Sequence, residues 1–381
     1  MDLLRPETPE EFAEALAGAA RAGRSITLGG AFTKNGMAGP VAPAEVTIST
    51  ASLNRVLQYD PRDLTISVEA GMRYGELTRI VTGNQQMLPL DPPFSEAATI
   101  GGVLAANTCG PRRRLYGTAR DMVIGMKFAT LEGKIVQSGG MVVKNVAGLD
   151  MAKLMIGSFG TLAAIVVANF KLAPMPEATR TFLLSFAGAS EAAAARDAVL
   201  RSVLQPAAID LLNPAAARLV GHDGFVLAVQ AGGNSAVLDR CGRELPGAQS
   251  IEGSEETEFW RRLQDFTPAF LASHPEGAVV RVPATLTQLR DVLETLSGPA
   301  LARAGTGVCY GYFDSTTAGA GWVQEACARG WRPVVEFAPD MEKAKLDLWP
   351  NPGSDFDIMK RVKEMFDPGS LLNRGRLYGR L

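Results

Sequence analysis

Three glycine-bearing loops hold the residues whose type and spacing could do chemistry. In the first, Ser25-Ile-Thr-Leu-Gly29-Gly30-Ala31-Phe32-Thr33, an apolar run meets a glycine pair with a hydroxyl close behind. Successive backbone N–H groups in such a turn form an anion-binding nest. The second, Thr99-Ile-Gly101-Gly102-Val-Leu-Ala-Ala-Asn107, places a nest at the start of a short helix, where the dipole favours a phosphate. The third, Gly157-Ser158-Phe159-Gly160-Thr161, lies between a helix and a strand. Any one of them alone is more often a plain tight turn, because glycine is the default residue there. Three together, all ending apolar elements, favour a diphosphate ligand. Residues 101–160 hold 11 of the chain's 40 glycines, about two and a half times the ~7% average, so the backbone there must approach something closely.

Other chemistries fail on their residues. Gly305-x-Gly307 has Tyr310 where a dinucleotide fingerprint needs its third glycine, and Gly133-Lys134 is followed by Ile135, where a P-loop needs Ser or Thr. Two histidines, His222 and His274, fall in different elements, and Cys109, Cys241, Cys309 and Cys327 form no C-x-x-C pair. Neither a metal site nor a disulfide framework is expected. Lys plus Arg is 38 against 40 for Asp plus Glu, a net charge of −2, which gives no field to hold a nucleic-acid backbone. The opening MDLLRPETPEEF is acidic where a signal peptide is basic, and the longest apolar stretch, residues 162–168, is far short of a membrane span. The expectation is a reduced, cytoplasmic protein, with peripheral docking at the inner membrane through a complex left open.

The elements that must position the loops follow from pattern. Thr8-x-x-Glu11 is a capping box ahead of a helix over 9–22. The runs SITLGG, VTIST and LTISVEAG read as strands, the last two flanking RVLQYDPRD, and residues 74–81 as a helix leading to the loop LPLDPP. MVIGMKFATLEGKIVQSGG reads as a hairpin turning at Leu131-Glu132-Gly133, and TLAAIVVANFKLAP as a buried strand. Pro174 and Pro176 mark a domain boundary. Beyond it, TFLLSF, SEAAAARDAVLRSV, AAIDLLN, FVLAVQA and a helix from Ala236, with further strands near GAVVRVP and GVCYGYF, resemble a β-α-β-β-α-β order, a ferredoxin-like layer. No internal repeat is visible. A last helix stops at Asp367-Pro368-Gly369, ahead of a basic tail.

The ordered set LGGAFT, DLTISVEAG, LPLDPP, TIGGVLAANTCGPRRRLYGTARDMVIGM, GGMVVKNVAGLDMAKLMIGSFGTLAAI and FDPGSLLNRGR resembles the PCMH-type FAD-binding fold of the vanillyl-alcohol oxidase superfamily. Within it, TCGPRRR, RDMVIGM and GGMVVKNVAGLD are most similar to the FAD-binding E subunits of bacterial glycolate oxidases. The resemblance implies an α+β fold: an FAD domain over 1–174, a ferredoxin-like α/β cap over 175–350, and a segment over 351–381 returning to the FAD domain. It places Gly29, Gly30, Ala31 and Phe32 in the first diphosphate loop, Pro89, Leu90 and Asp91 along the cofactor, and Thr99, Gly101 and Gly102 at the diphosphate. Asn107 and Thr108 would sit toward the flavin ring, and Gly157, Ser158, Gly160 and Thr161 near the ribityl and adenine side. Leu149 stands where the family commonly has Tyr, and Cys109 where many relatives have Gly.

The covalent flavin tether of some relatives is a His, and none precedes His222, so FAD is expected to bind reversibly. The cap string Gly221-His222-Asp223-Gly224-Phe225 lacks the rest of the metal cluster found in D-type relatives. Arg112-Arg113-Arg114 reads either as a solvated charged loop or as a guanidinium site for a substrate carboxylate. Lys144 and Asn145 either face the cofactor or, for Asn145, cap a helix. Arg376, in a tail resembling the family's terminal N-P-G-K or N-P-G-R with Arg374 in place of the Pro, is either a solvated charge or a cation that stabilises reduced flavin, with Arg374 as the alternative. The implied activity is oxidation of a 2-hydroxy acid such as glycolate to the 2-oxo acid, with a hydride passing to flavin N5. Electrons would leave through an iron–sulfur subunit, in a complex that also holds a D-type flavoprotein. The alternatives are a non-catalytic FAD-carrying relay subunit and a free-standing oxidase. No residue is identified as the catalytic base.

Overall fold

Thr8 opens the first helix, its Oγ1 accepting the Glu11 N–H at 3.1 Å with Pro9 in the first turn. Proline costs nothing there because its missing N–H would be unpaired anyway. The helix, Pro9–Arg21, buries Phe12, Ala13, Leu16, Ala17 and Ala19 along one stripe. The computed structural model describes residues 2–40, 42–142 and 148–381; Lys144 and Asn145 lie outside the described residues. The chain divides into two compact units. One comprises the chain up to Cys109 with Thr118–Met175 and Pro352–Leu381; the other comprises Gly110–Gly117 and Pro176–Asn351.

In the first unit, β1 (Asp2–Leu4), β2 (Ile26–Gly29) and β3 (Val46–Ser49) form a parallel sheet in the order β1-β3-β2. The remaining strands are β4 (Val56–Asp60), β5 (Thr65–Glu69), β6 (Gln86–Met87), β7 (Val123–Ala129), β8 (Ile135–Gly139), β9 (Ala164–Lys171) and β10 (Ala173–Pro174). Five of them make an antiparallel sheet, β4-β5-β9-β7-β8, and β6 pairs with β10. The β7–β8 hairpin turns at Gly133, whose φ of 80° suits glycine. β9 is buried from Ala164 to Phe170, which is why it reads as a continuous apolar run rather than an alternation. β4 is a strand that the pattern did not reveal, because its Val56 and Leu57 are exposed and carry no core periodicity. Phe12, Leu16, Ile26, Ile48, Leu53, Val166 and Leu372 share one apolar cluster, so the far C-terminus is part of this unit's core.

The second unit is built on β11 (Ala178–Phe186), β12 (Ala208–Leu212), β13 (Phe225–Gly233), β14 (Gln249–Ile251), β15 (Ala278–Pro283), β16 (Ala300–Arg303), β17 (Val308–Phe313) and β18 (Val334–Phe337). They form one antiparallel sheet in the order β14-β11-β13-β12-β16-β17-β15-β18. Helices Ala189–Arg201 and Ser235–Glu244 connect the first four strands, and Leu289–Glu294 and Thr316–Ala328 the last four. Each half is therefore β-α-β-β-α-β with the same strand order, fourth-first-third-second. The sequence suggests one ferredoxin-like layer and no repeat; the structure has two such modules, joined at β12–β16 through Leu211↔Ala302 and Leu212↔Leu301. Topology repeats without sequence repeating because the arrangement needs apolar faces of the right period, not the same side chains. Among the described residues no helix is long and apolar enough to cross a membrane.

Candidate functional site: a glycine-lined cavity closed by the C-terminus

The first unit contains an open cavity, about 830 Å³ of empty space when the solvent at its mouth is counted in. Of the residues singled out from sequence, Gly29, Gly30, Phe32, Thr99, Gly101, Gly102, Gly160 and Arg376 line it. Ala31 lines an adjoining cleft with Gly30, Phe32 and Thr99. Pro89, Leu90, Asp91, Asn107, Thr108, Gly157, Ser158 and Thr161 are not among its lining residues.

The first loop leaves β2 and turns through Phe32, whose φ is 55°. A left-handed residue within a loop directs neighbouring N–H groups to one side. The N–H groups of Ala31, Phe32 and Thr33 donate to no acceptor among the described residues. Close packing explains the glycines beside them: a Cβ on Gly30 would lie 2.1 Å from Thr99 Oγ1, and one on Gly29 would lie 2.3 Å from the Phe32 ring.

The second loop differs from the sequence expectation. The Ile100 N–H donates to Met72 O at 2.9 Å and the Gly101 N–H to Ala70 O at 2.7 Å. These donors are spent on seating the Ile100–Ala106 helix, leaving the Gly102 N–H as the one at the helix start with no described acceptor. The third loop is closed in the same sense. Its Gly157, Ser158, Phe159 and Thr161 N–H groups donate to Leu104, Met155, Ala105 and Ser158 carbonyls, and the Gly160 N–H reaches Ser158 Oγ at 3.3 Å. It is a tight turn that presents Phe159 and Gly160 to the cavity, not a nest. Packing on Ala70 explains Gly101 and a φ of 68° explains Gly160; neither N–H is left over for a ligand.

The tail, read from sequence as a solvated charge or a flavin cation, is instead a buried strap. The Arg376 guanidinium is buried and donates to four carbonyls of the 34–39 segment: Nη1 to Asn35 at 3.0 Å, Met37 at 2.6 Å and Gly39 at 2.7 Å, and Nη2 to Lys34 at 2.8 Å. Asn373, also on the cavity wall, accepts the Leu28 N–H at 2.7 Å and donates to the Phe159 carbonyl at 2.7 Å. Upstream, Lys363 Nζ pairs with Asp367 and donates to Thr161 O at 2.8 Å. Burial pushes the Lys363 ammonium below the usual lysine range, with Asp367 opposing the shift. Asn373, Phe159 and Lys363 were not identified as site residues from sequence; the Asn-x-Gly-Arg string is the signal that could have found Asn373.

Arg112 lies in the second unit, beside the one-turn helix Arg113–Tyr116. There the Arg114 stem packs where a Cβ on Gly305 would sit, 2.5 Å from its Cδ. The Thr108 hydroxyl is buried and has no hydrogen-bond partner among the described residues.

Residues 3–139 match a family model described as an FAD binding domain. The match covers 137 of the chain's 381 residues, all but Gly110–Gly117 of them in the first unit. Free loop N–H groups suit an FAD diphosphate and the apolar walls at Phe12, Ala163, Ala164 and Ile165 suit a ring, so the residues that line the cavity fit FAD. The chain is 33% identical over 215 residues to glycolate oxidase subunit GlcE of Escherichia coli strain K12, covering 55% of each chain. It is 34% identical over 161 residues to glycolate oxidase subunit GlcD of Bacillus subtilis strain 168, covering 42% of this chain and 34% of that one. The matches thus span about half of the first relative's length and a third of the second's. The resemblance to glycolate oxidase E subunits read from sequence is found by comparison. Among solved structures, an alkyldihydroxyacetonephosphate synthase superposes with a TM-score of 0.72 at 19% identity, covering 97% of this chain and 76% of that one, which shows the shared α+β fold.

Proposed function

We propose that this chain is an FAD-dependent oxidoreductase acting on a 2-hydroxy acid, glycolate foremost, as a subunit of a complex with a D-type flavoprotein and an iron–sulfur protein. The observation that carries the reading is the glycine-lined cavity with unspent N–H donors in a unit that matches the FAD binding domain and resembles two glycolate oxidase subunits. FAD bound there supplies two-electron oxidation of the carbon that bears the hydroxyl. The Ala31, Phe32, Thr33 and Gly102 N–H groups hold the diphosphate, and the strap fixes the loop that presents the first three. Arg112 and Arg113 are the proposed holders of the substrate carboxylate, since a guanidinium pairs with a carboxylate through two parallel hydrogen bonds. FAD is held without a covalent bond, since no His, the tether of the covalent relatives, precedes His222.

Turnover of glycolate with a dye acceptor tests the proposal, first on the purified chain and then with both partner subunits added. Low turnover alone that rises in the assembled complex is the expected result. No turnover in any combination overturns the reading, whereas high turnover by the chain alone with no stimulation replaces the subunit with a free-standing enzyme.

A further inference from the structure

The 29–39 loop adopts a conformation that its own sequence does not favour. Phe32 and Ala38 both sit in the left-handed region, at φ 55° and 59°, where a side chain crowds the following carbonyl. Such residues persist only where the surroundings over-determine them. The surroundings here come from some 340 positions away. Arg376 Nη1 shares its two protons among three carbonyls and Nη2 reaches a fourth, all within residues 34–39. The Gly39 N–H returns to Arg376 O at 3.0 Å. The two backbones meet so closely that a Cβ on Gly39 would lie 1.8 Å from Gly375 O. A planar fork with fixed donor directions suits four converging carbonyls; an ammonium, with three donors on a flexible stem, cannot meet all four.

We propose that Arg376 is a positioning residue whose guanidinium sets the shape of the loop that receives the FAD diphosphate, so that docking of the C-terminal strap and FAD binding are linked. The inference rests on the FAD reading above and adds to it a direction of control. Gly29, Gly30, Phe32, Asn373 and Arg376 line one cavity, so whatever orders one side stabilises the other. Linkage is reciprocal: if the strap improves FAD affinity, FAD must hold the strap down by the same factor. The strap's own anchors, the Ile26 N–H to Leu371 O at 2.8 Å and the Asn373 N–H to Ile26 O at 2.9 Å, lie outside the loop, so the loop can loosen without unthreading the core.

Two measurements on the full chain test this: FAD affinity by fluorescence titration of the flavin-free protein, and hydrogen exchange over residues 30–40 and 370–381 with and without FAD. Arg376→Met should weaken FAD by about tenfold or more, within the usual span of coupling between sites, and speed exchange over 30–40 in the flavin-free protein. Arg376→Lys keeps the charge and loses the fork, so it should show the same faster exchange and an intermediate loss of affinity. FAD should slow exchange over 370–381 in the wild type. If Arg376→Met cannot be folded, Gly39→Ala separates the same two backbones with Arg376 intact and should weaken FAD likewise. Wild-type behaviour of Arg376→Lys in both measurements would show that charge alone matters and overturn the inference, as would unchanged 370–381 exchange with FAD. A wild-type chain that takes up no FAD overturns the cofactor reading itself; uptake unaltered in the variants overturns only the role of Arg376.

Discussion

The Asn373 side-chain amide donates to the Phe159 carbonyl at 2.7 Å across 214 positions of sequence. Its Oδ1 accepts from the Leu28 N–H, so one residue ties the strand before the first glycine loop to the turn of the third. Asn373 itself sits at φ 41°, a conformation Asn tolerates better than most residues. Asn373→Ala leaves a part-buried donor and acceptor unpaired and should cost about 2–4 kcal/mol. Asn373→Asp keeps the acceptor for Leu28 but turns a carboxylate oxygen on the Phe159 carbonyl in a buried place, so it should be no more stable than the alanine variant. Thermal unfolding followed by circular dichroism checks the order; an alanine variant as stable as the wild type would remove Asn373 from the framework.

How far the site was legible follows from what each residue is asked to do. The glycine pair at 29–30 could be read because only a missing side chain lets the loop pack on Phe32 and Thr99, and such positions mark themselves in sequence. The same logic over-read Gly101 and Gly157–Thr161, whose glycines also serve close packing but whose N–H groups are consumed internally. Nothing in a linear string reveals which carbonyl a donor will find. Arg376 was legible as a charged residue worth attention, yet its role was not, because four acceptors from residues 34–39 converge on it only in three dimensions. The doubled module of the second unit was hidden for a related reason: β14, β16 and β18 are three or four residues each, too short to show a period.

Gly102 separates a site role from a folding role. A Cβ there meets only Thr99 Oγ1, at 3.2 Å, and the position is helical. Gly102→Ala should fold with stability within about 1 kcal/mol of wild type, since alanine is the better helix former. It should nevertheless bind FAD more weakly, because the methyl enters the cavity wall beside the N–H left free at the helix start. Unfolding temperature of the flavin-free protein and FAD titration read the two effects separately. Equal FAD affinity would place the diphosphate elsewhere.

Reversible flavin binding has a direct test. No His precedes His222, and a His is the side chain that tethers flavin in the covalent relatives that the sequence resembles. Acid precipitation of the yellow protein should leave the flavin in the supernatant. Colour in the pellet would contradict it.

Stability of the second unit should carry a pH signature from Glu336. Burial raises its carboxyl above the ordinary 4.5, with Arg281 opposing the shift from 3.2 Å. A carboxyl raised on folding binds its proton more tightly in the native than in the unfolded state. Between pH 4.5 and the raised value the native state therefore holds more protons, and stability falls as pH rises through that window. The contribution is fully present below 4.5. Glu336→Gln should abolish the slope, so the stability difference between wild type and variant should drift against the wild type as pH rises from about 4.5, by no more than ~1.4 kcal/mol per pH unit. All four tryptophans, Trp260, Trp322, Trp331 and Trp349, fall in the second unit, so their fluorescence follows its unfolding in urea at each pH. A difference that does not change with pH would refute the account.

The seam between the two β-α-β-β-α-β modules should depend on one ion pair. β12 and β16 share only two backbone pairings, and just beyond them Arg303 Nη1 pairs with Asp210 Oδ2, the carboxylate side chain wholly buried and the guanidinium nearly so. Two opposed effects bear on its worth. Removing both charges from water costs several kcal/mol per ion, so the pair need not stabilise the fold relative to apolar residues of like size. Removing one partner is different in kind, because it strands a buried charge. Arg303→Leu should therefore destabilise the second unit by about 3–5 kcal/mol, whereas Arg303→Leu with Asp210→Leu should recover much of the loss. The recovery distinguishes stranded charge from lost packing: if stacking of the Arg303 stem near Tyr310, whose ring lies 5.9 Å from the guanidinium carbon, were what mattered, the double variant would be no better than the single. Urea unfolding of the three proteins, followed by tryptophan fluorescence, decides it. A single variant within about 1 kcal/mol of wild type, the ordinary range for a surface pair, would mean that the ion pair contributes little to the seam.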